Sequence, residues 1–132
     1  RAGFRESRRI IGEYTLTRED VKTSRKDPAG IARGGWGAEI HVDNDDPAFT
    51  LERGAKWFDI PIAALRPQGY QNLWCAGRTI SSDLTASASI RVMGTGFATG
   101  HAAGVAAALS AGKEGYDTEA IRAELTRQGA LI

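Results

Sequence analysis

The stretch MGTGFATGHAAGVAAAL, residues 93–109, largely decides how this chain is interpreted. Three of its glycines, Gly96, Gly100 and Gly104, are spaced four residues apart. Residues with this spacing lie on one side of an α-helix. The pattern therefore predicts a helix, ending near residue 111, with one face that carries no side chains. Because each helical glycine costs up to ~1 kcal/mol relative to alanine, we expect a neighbouring strand or helix to pack closely against Gly100 and Gly104.

The start of this helix suggests a ligand. At Gly94, Thr95 and Gly96, backbone N–H groups would be unpaired at the positive end of the helix dipole. A planar ligand edge with negative charge would be stabilised there. A self-contained dinucleotide-binding unit explains the glycines less well, because its ribose-binding acid should end an apolar strand. The residue at that distance, Asp117, follows SAGKEGY instead.

Composition excludes several classes of protein. The chain has 132 residues and a net charge of +1, from 17 basic and 16 acidic side chains, so a nucleic-acid partner is not expected. Its alanines and glycines contribute too little transfer energy for residues 93–109 to span a membrane. A single cysteine, Cys75, favours a reducing, cytoplasmic location. An acidic cluster at Asp43, Asp45 and Asp46 lacks the calcium-loop pattern, so no metal is expected.

Alternation and turn residues predict the other elements. Strands are expected at 8–17 and 36–42 and as a short apolar segment at 72–77, with an extended edge at 57–65. Short helices should follow Thr17 and either Asp117 or Thr118, and the latter is amphipathic and ends at Gly129. Residues 26–35 are predicted to be loop, and 78–93 an irregular hydroxyl-rich connection.

The segment DIPIAALRPQGYQNLWCAGRTISSDLTASASIRVMGTGFATGHAAGVAAAL, residues 59–109, resembles the C-terminal flavin-binding stretch of the FAD-dependent oxidoreductase family. Upstream, ESRRIIGEYTLTREDV and GGWGAEIHV resemble the adjoining substrate domain. AGR followed by ASIRVMGT and GHAAGVAAA is a specific combination. The resemblance predicts an α+β chain that is part of an α/β FAD-binding fold, with a glycine-rich buried helix and a C-terminal amphipathic helix. Residues 1–70 would be substrate-domain-like, and 71–132 would belong to the FAD-binding domain.

The resemblance implies FAD as the cofactor and hydride transfer from or to a small organic substrate. It also implies a set of flavin-binding residues: Gly77, Arg78, Met93, Gly94, Thr95 and Gly96. Gly77 and Arg78 would lie near the ribityl and pyrophosphate groups, with Arg78 either contacting phosphate or forming an internal ion pair. The residues from Met93 would face the pyrimidine edge of the flavin, where N–H groups stabilise negative charge on the reduced ring.

Two further residues are implied to be catalytic. Arg91 would lie beside the isoalloxazine ring and bind an anionic substrate, or else would be a buried arginine paired with a carboxylate. His41, in the AEIH motif, would donate or accept a proton if it faces the flavin. Its alternative role is structural.

The sequence does not include the family's N-terminal strand–GxGxxG–helix. We therefore expect the C-terminal portion of such an enzyme, completed by the missing N-terminal portion or by a second copy of the chain and incomplete by itself. The alternative hypothesis is a non-catalytic α+β domain that associates through Gly96, Gly100 and Gly104. The two differ in whether residues 94–96 border an open cleft or are covered by protein.

Overall fold

The computed structural model describes residues 8–41, 49–52 and 56–132, with backbone alone for 39–41 and 49–52. Four α-helices and four short strands are present in this part of the chain. The helices are α1 (Arg18–Thr23), α2 (Leu84–Ile90), α3 (Met93–Ser110) and α4 (Thr118–Arg127), and the strands are β1 (Gly30–Gly34), β2 (Ala38–His41), β3 (Phe49–Glu52) and β4 (Phe58–Pro61). The strands form two antiparallel pairs, β1 with β4 and β2 with β3. The α+β fold class is confirmed.

Strand β1 corrects the prediction of a loop at 26–35. Ile31 and Ala32 are buried, and the strand pairs with β4 from Gly30 opposite Pro61 to Gly34 opposite Phe58. Its glycines permit close packing rather than a turn, because a Cβ at Gly34 would overlap the Phe58 ring. The predicted strand at 36–42 is present in shorter form as β2.

The predicted strand at 8–17 is wrong. Its N–H groups bond two separate segments: Ile10 and Leu16 donate to the carbonyls of Thr79 and Ser81, whereas Tyr14 donates to that of Ala63. Because these partners do not belong to one strand, only isolated bridges form. The short helix after Thr17 is confirmed as α1.

Two predictions between residues 72 and 93 are also wrong. Residues 72–77 form no strand. Among the described residues, this segment makes a single backbone-to-backbone bond to another segment, from the Cys75 N–H to the Leu65 carbonyl at 2.8 Å. A 3-10 turn, Gly77–Thr79, follows. The supposed irregular connection contains α2, whose N-cap Asp83 accepts a bond from the Ala86 N–H at 2.8 Å.

The core lies between the β1–β4 pair and the helices. Helix α3 packs against β1, α4 and the 3-10 turn at Gly77–Thr79. It buries one side of its surface, including Thr99, Ala102 and Val105. The amphipathic α4 is confirmed: Asp117 caps its start, and Ile121 and Leu125 are buried. Among the described residues, no helix combines the length and apolar character that crossing a membrane requires.

Candidate functional site

The start of α3 has open backbone donors. Val92 is extended and is the N-cap, without a side-chain cap, so the helix begins at Met93. The first intrahelical bond runs from the Gly96 N–H to the Val92 carbonyl at 3.0 Å. Within the described part of the chain, the N–H groups of Met93, Gly94 and Thr95 therefore have no hydrogen-bond partner. The expected set of open donors is thus corrected by one residue: Met93 belongs to it and Gly96 does not.

Two of the three residues that carry these donors are exposed, whereas Thr95 is 5% exposed. Met93 is 81% exposed, and Gly94 is exposed as well. A Cβ built at Gly94 or at Gly96 would meet no described atom within 4 Å. A planar group can therefore approach the backbone of the first turn at Gly94. Gly94 and Gly96 border open space, whereas Thr95 is buried.

A buried hydroxyl connects Gly77 to this first turn. Gly77 adopts a left-handed conformation with φ of +63°, and its N–H donates to Thr99 Oγ1 at 3.0 Å. Thr99 is fully buried, and its hydroxyl donates in turn to the Thr95 carbonyl at 2.8 Å. Arg78, next in the chain, is exposed. The structure thus brings Gly77 and Arg78 next to the start of α3.

Sequence analysis did not identify Thr99 as a site residue. The available signal was its position four residues after Thr95, which places both threonines on the same side of the helix. What could not be read from the sequence was the partner, since Gly77 lies 22 positions away in the chain.

The two predicted catalytic residues lie on elements that pack together. Arg91 is half-buried, ends α2 and donates its N–H to the Ser87 carbonyl at 3.1 Å. His41 is the last residue of β2, opposite Phe49, and its side chain lies outside the described structure. Helix α2 packs against β2. Catalytic roles for both residues stay predictions.

The glycine face of α3 is open. Gly100 and Gly104 are exposed, and a Cβ at either would meet no described atom within 4 Å. The expected close contact with a neighbouring strand or helix is therefore wrong for the described residues. Phe97, next to this face, is 77% exposed.

Two of the groups with clearly shifted pKa values are tyrosines on other parts of the fold. Burial raises the pKa of Tyr14 to about 12, helped by its hydrogen bond to Asp20. Burial raises the pKa of Tyr116 to about 12 as well, with a hydrogen bond to Glu13 as the second cause. These phenols stabilise the fold. The acidic cluster at 43–46 lies outside the described residues, so its interpretation is untested.

The family model of FAD dependent oxidoreductases matches residues 1–128. The chain belongs to this family. No curated protein and no solved structure matches it. Membership of this family implies the use of FAD. The open N–H groups of Met93, Gly94 and Thr95, and the free space beside Gly94 and Gly96, fit the polar edge of a flavin ring.

Proposed function

We propose that this chain forms the isoalloxazine side of an FAD site and takes part in hydride transfer from or to an organic substrate. The observation that carries the proposal is the set of unpaired N–H groups at Met93, Gly94 and Thr95. These donors point out of the first turn of an 18-residue helix, where the helix dipole adds partial positive charge. When bound, the flavin would supply the hydride-accepting or hydride-donating chemistry.

The residues of the first turn would act by electrostatic stabilisation. Fixed donors that do not reorganise during a reaction stabilise developing negative charge most effectively. Here the helix fixes them, and Thr99 holds the Gly77 turn against the same helix. Arg78 would contact the cofactor phosphates from that turn, or form an ion pair within the protein.

The substrate side of the proposal involves Arg91 and His41. Arg91 would bind an anionic substrate, and His41 would exchange a proton with it because imidazole titrates near neutral pH. In this proposal residues 1–70 contribute the substrate side and 71–132 the flavin side. A further N-terminal portion or a second copy of the chain would complete the site. The single thiol, Cys75, supports a reducing, cytoplasmic location.

The proposal is tested by Gly96→Val, with Gly104→Val as the matched control in the same helix. A Cβ at either position meets no described atom within 4 Å, so both variants should fold and bear the same β-branched cost to the helix. Only the valine at 96 would occupy the space beside the helix start. In FAD-loaded protein, we expect Gly96→Val to lose its visible flavin absorbance while Gly104→Val retains it. Equal flavin content in the two variants would contradict the assignment of the α3 start.

The open glycine face favours a second candidate, a non-catalytic domain that self-associates through α3. The exposed Gly100 and Gly104 and the exposed Phe97 are compatible with a helix-to-helix contact. In sedimentation equilibrium this candidate predicts a dimer that Gly100→Lys dissociates. Thr126→Lys, which adds the same charge on exposed α4, should leave the dimer intact. A monomeric wild-type chain would eliminate this candidate.

A further inference from the structure

A cavity of about 500 Å³ lies between β1, α3 and the segment 130–132. Its walls are largely apolar and include Ile31, Phe97 and Leu131. Phe97 and Leu131 are each 77% exposed, so they present hydrocarbon surface that the described residues do not cover. This volume lies within the range of small-molecule sites, roughly 300–1,000 Å³.

One cationic side chain, Arg33, lines the cavity, and the described lining contains no acidic side chain. The guanidinium lies 4.7 Å from the centroid of the Trp57 ring, and its Nη2 donates to the Ile132 carbonyl at 2.7 Å. These two contacts hold the group in place. The Nε atom of Arg33 is buried and has no hydrogen-bond partner within the described part. A buried, unpaired donor on a charged group is costly, and negative charge beside the guanidinium would offset part of that cost.

The other polar side chain in the wall is already engaged. His101 Nε2 lies 2.5 Å from Gln128 Oε1, which turns that edge of the ring toward α4. Arg33 is therefore the group in the lining with donor capacity to spare. Charge, apolar walls and volume together indicate a ligand with one anionic end and a hydrocarbon body.

We propose that this cavity binds an apolar carboxylic acid. Its carboxylate accepts hydrogen bonds from Arg33, and its hydrocarbon part packs on Phe97 and Leu131. Because Gly94 also lines the cavity, the acid would lie next to the start of α3. In the enzyme this makes apolar carboxylic acids the substrate class, an extension that rests on the proposed function.

The test is calorimetric titration of the protein, without FAD, with 4-phenylbutanoate and with its neutral amide. A charge-assisted bond from arginine should make the acid bind about tenfold more tightly than the amide. Arg33→Met should remove that difference, whereas Arg127→Met, which removes an exposed arginine on α4, should preserve it. Phe97→Ser should weaken both ligands, and this exposed position keeps the test valid if Arg33→Met fails to fold.

Equal affinity for the acid and the amide in the wild-type protein would overturn the proposal. Undetectable binding of both ligands would overturn it as well, as would unchanged affinities in Phe97→Ser. The proposal for the acid-binding cavity and the proposal for the flavin site can be refuted independently of each other. Acid binding that persists in a protein unable to bind FAD would refute the proposed function, and with it the substrate extension, but not the site.

Discussion

Thr99 holds two distant parts of the candidate site together through one hydroxyl. It accepts from the Gly77 N–H and donates to the Thr95 carbonyl while fully buried. Valine has nearly the same shape but no hydroxyl, so Thr99→Val would leave the Gly77 donor unpaired. We expect a loss of about 1–3 kcal/mol in the free energy of unfolding, measured by urea denaturation.

The control for this change is Thr126→Val on α4. Its hydroxyl also donates to a carbonyl four residues earlier, that of Arg122, but the residue is exposed. Water replaces the lost bond there, so the change in stability should stay within about 0.5 kcal/mol. Equal effects of the two substitutions would contradict the linking role of Thr99.

Tyr14 predicts how the protein responds to alkali. The folded pKa of its phenol is about 12, against an ordinary value of 10.0, and burial is the main cause. Unfolded tyrosine loses its proton near pH 10.0, whereas the folded protein retains it. The stabilisation is therefore complete below pH 10.0 and is lost as the pH rises toward about 12. Phenolate absorbance of the folded protein should show two late-ionising groups, Tyr14 and Tyr116, of which Tyr14→Phe removes one. Ionisation of all tyrosines near pH 10.0 would refute this.

At the scale of the elements, the glycines of α3 and β1 have opposite roles. Gly100 and Gly104 are interior helical residues beside open space, so Gly100→Ala and Gly104→Ala should each raise the free energy of unfolding by about 0.5–1 kcal/mol. Gly34→Ala should lower it by about 1–3 kcal/mol, because the added methyl overlaps the buried Phe58 ring.

Thermal and urea unfolding of these three variants measures whether each substitution raises or lowers the free energy of unfolding. A loss of stability in Gly100→Ala would show that α3 packs closely against something beyond the described residues. It would also support the expectation that a strand or helix packs against the glycine face of α3. Stabilisation in Gly34→Ala would contradict the packing of β1 on β4.

The elements that sequence analysis predicted correctly are those specified locally. Helices α1 and α4 follow from capping residues and periodicity within one segment, Thr17 with Asp20 for the first and Asp117 for the second. The errors are at segments whose structure depends on distant partners. The residues from 8 to 17 bond two separate segments, and β1 forms because Ile31 and Ala32 pack into a core shared with β4. No local pattern records such partners.

In the candidate site, too, locally specified features were predicted from the sequence and contacts between distant residues were not. The glycine pattern and the family resemblance directed attention to the start of α3, and the structure shifts the open donors by a single residue, to Met93. Thr99 and Arg33 were missed because their importance comes from contacts with Gly77 and Trp57, which are far away in the chain. Helix α2 was missed because the hydroxyl-rich segment that contains it, residues 78–93, suggested a loop.

At the scale of the whole molecule, one core joins both parts of the chain. Phe58 and Ile31 from the first part share a hydrophobic cluster with Ile90 and Ile121 from the second. The proposed division at residue 70 is thus one of function, between substrate and flavin sides, across a shared core. The open surface at the start and along the glycine face of α3 is where a cofactor or a further protein segment can be added.

The most direct measurement is a titration of the 132-residue protein with FAD, followed by backbone amide resonances. The account predicts saturable shifts of the Met93, Gly94 and Thr95 signals, because their N–H groups are open at the helix start. Amides in the middle of α4, such as that of Arg122, should not move. Saturable FAD binding with unmoved signals from residues 93–95, or with shifts confined to other elements, would contradict the proposed flavin site while leaving membership of the family intact.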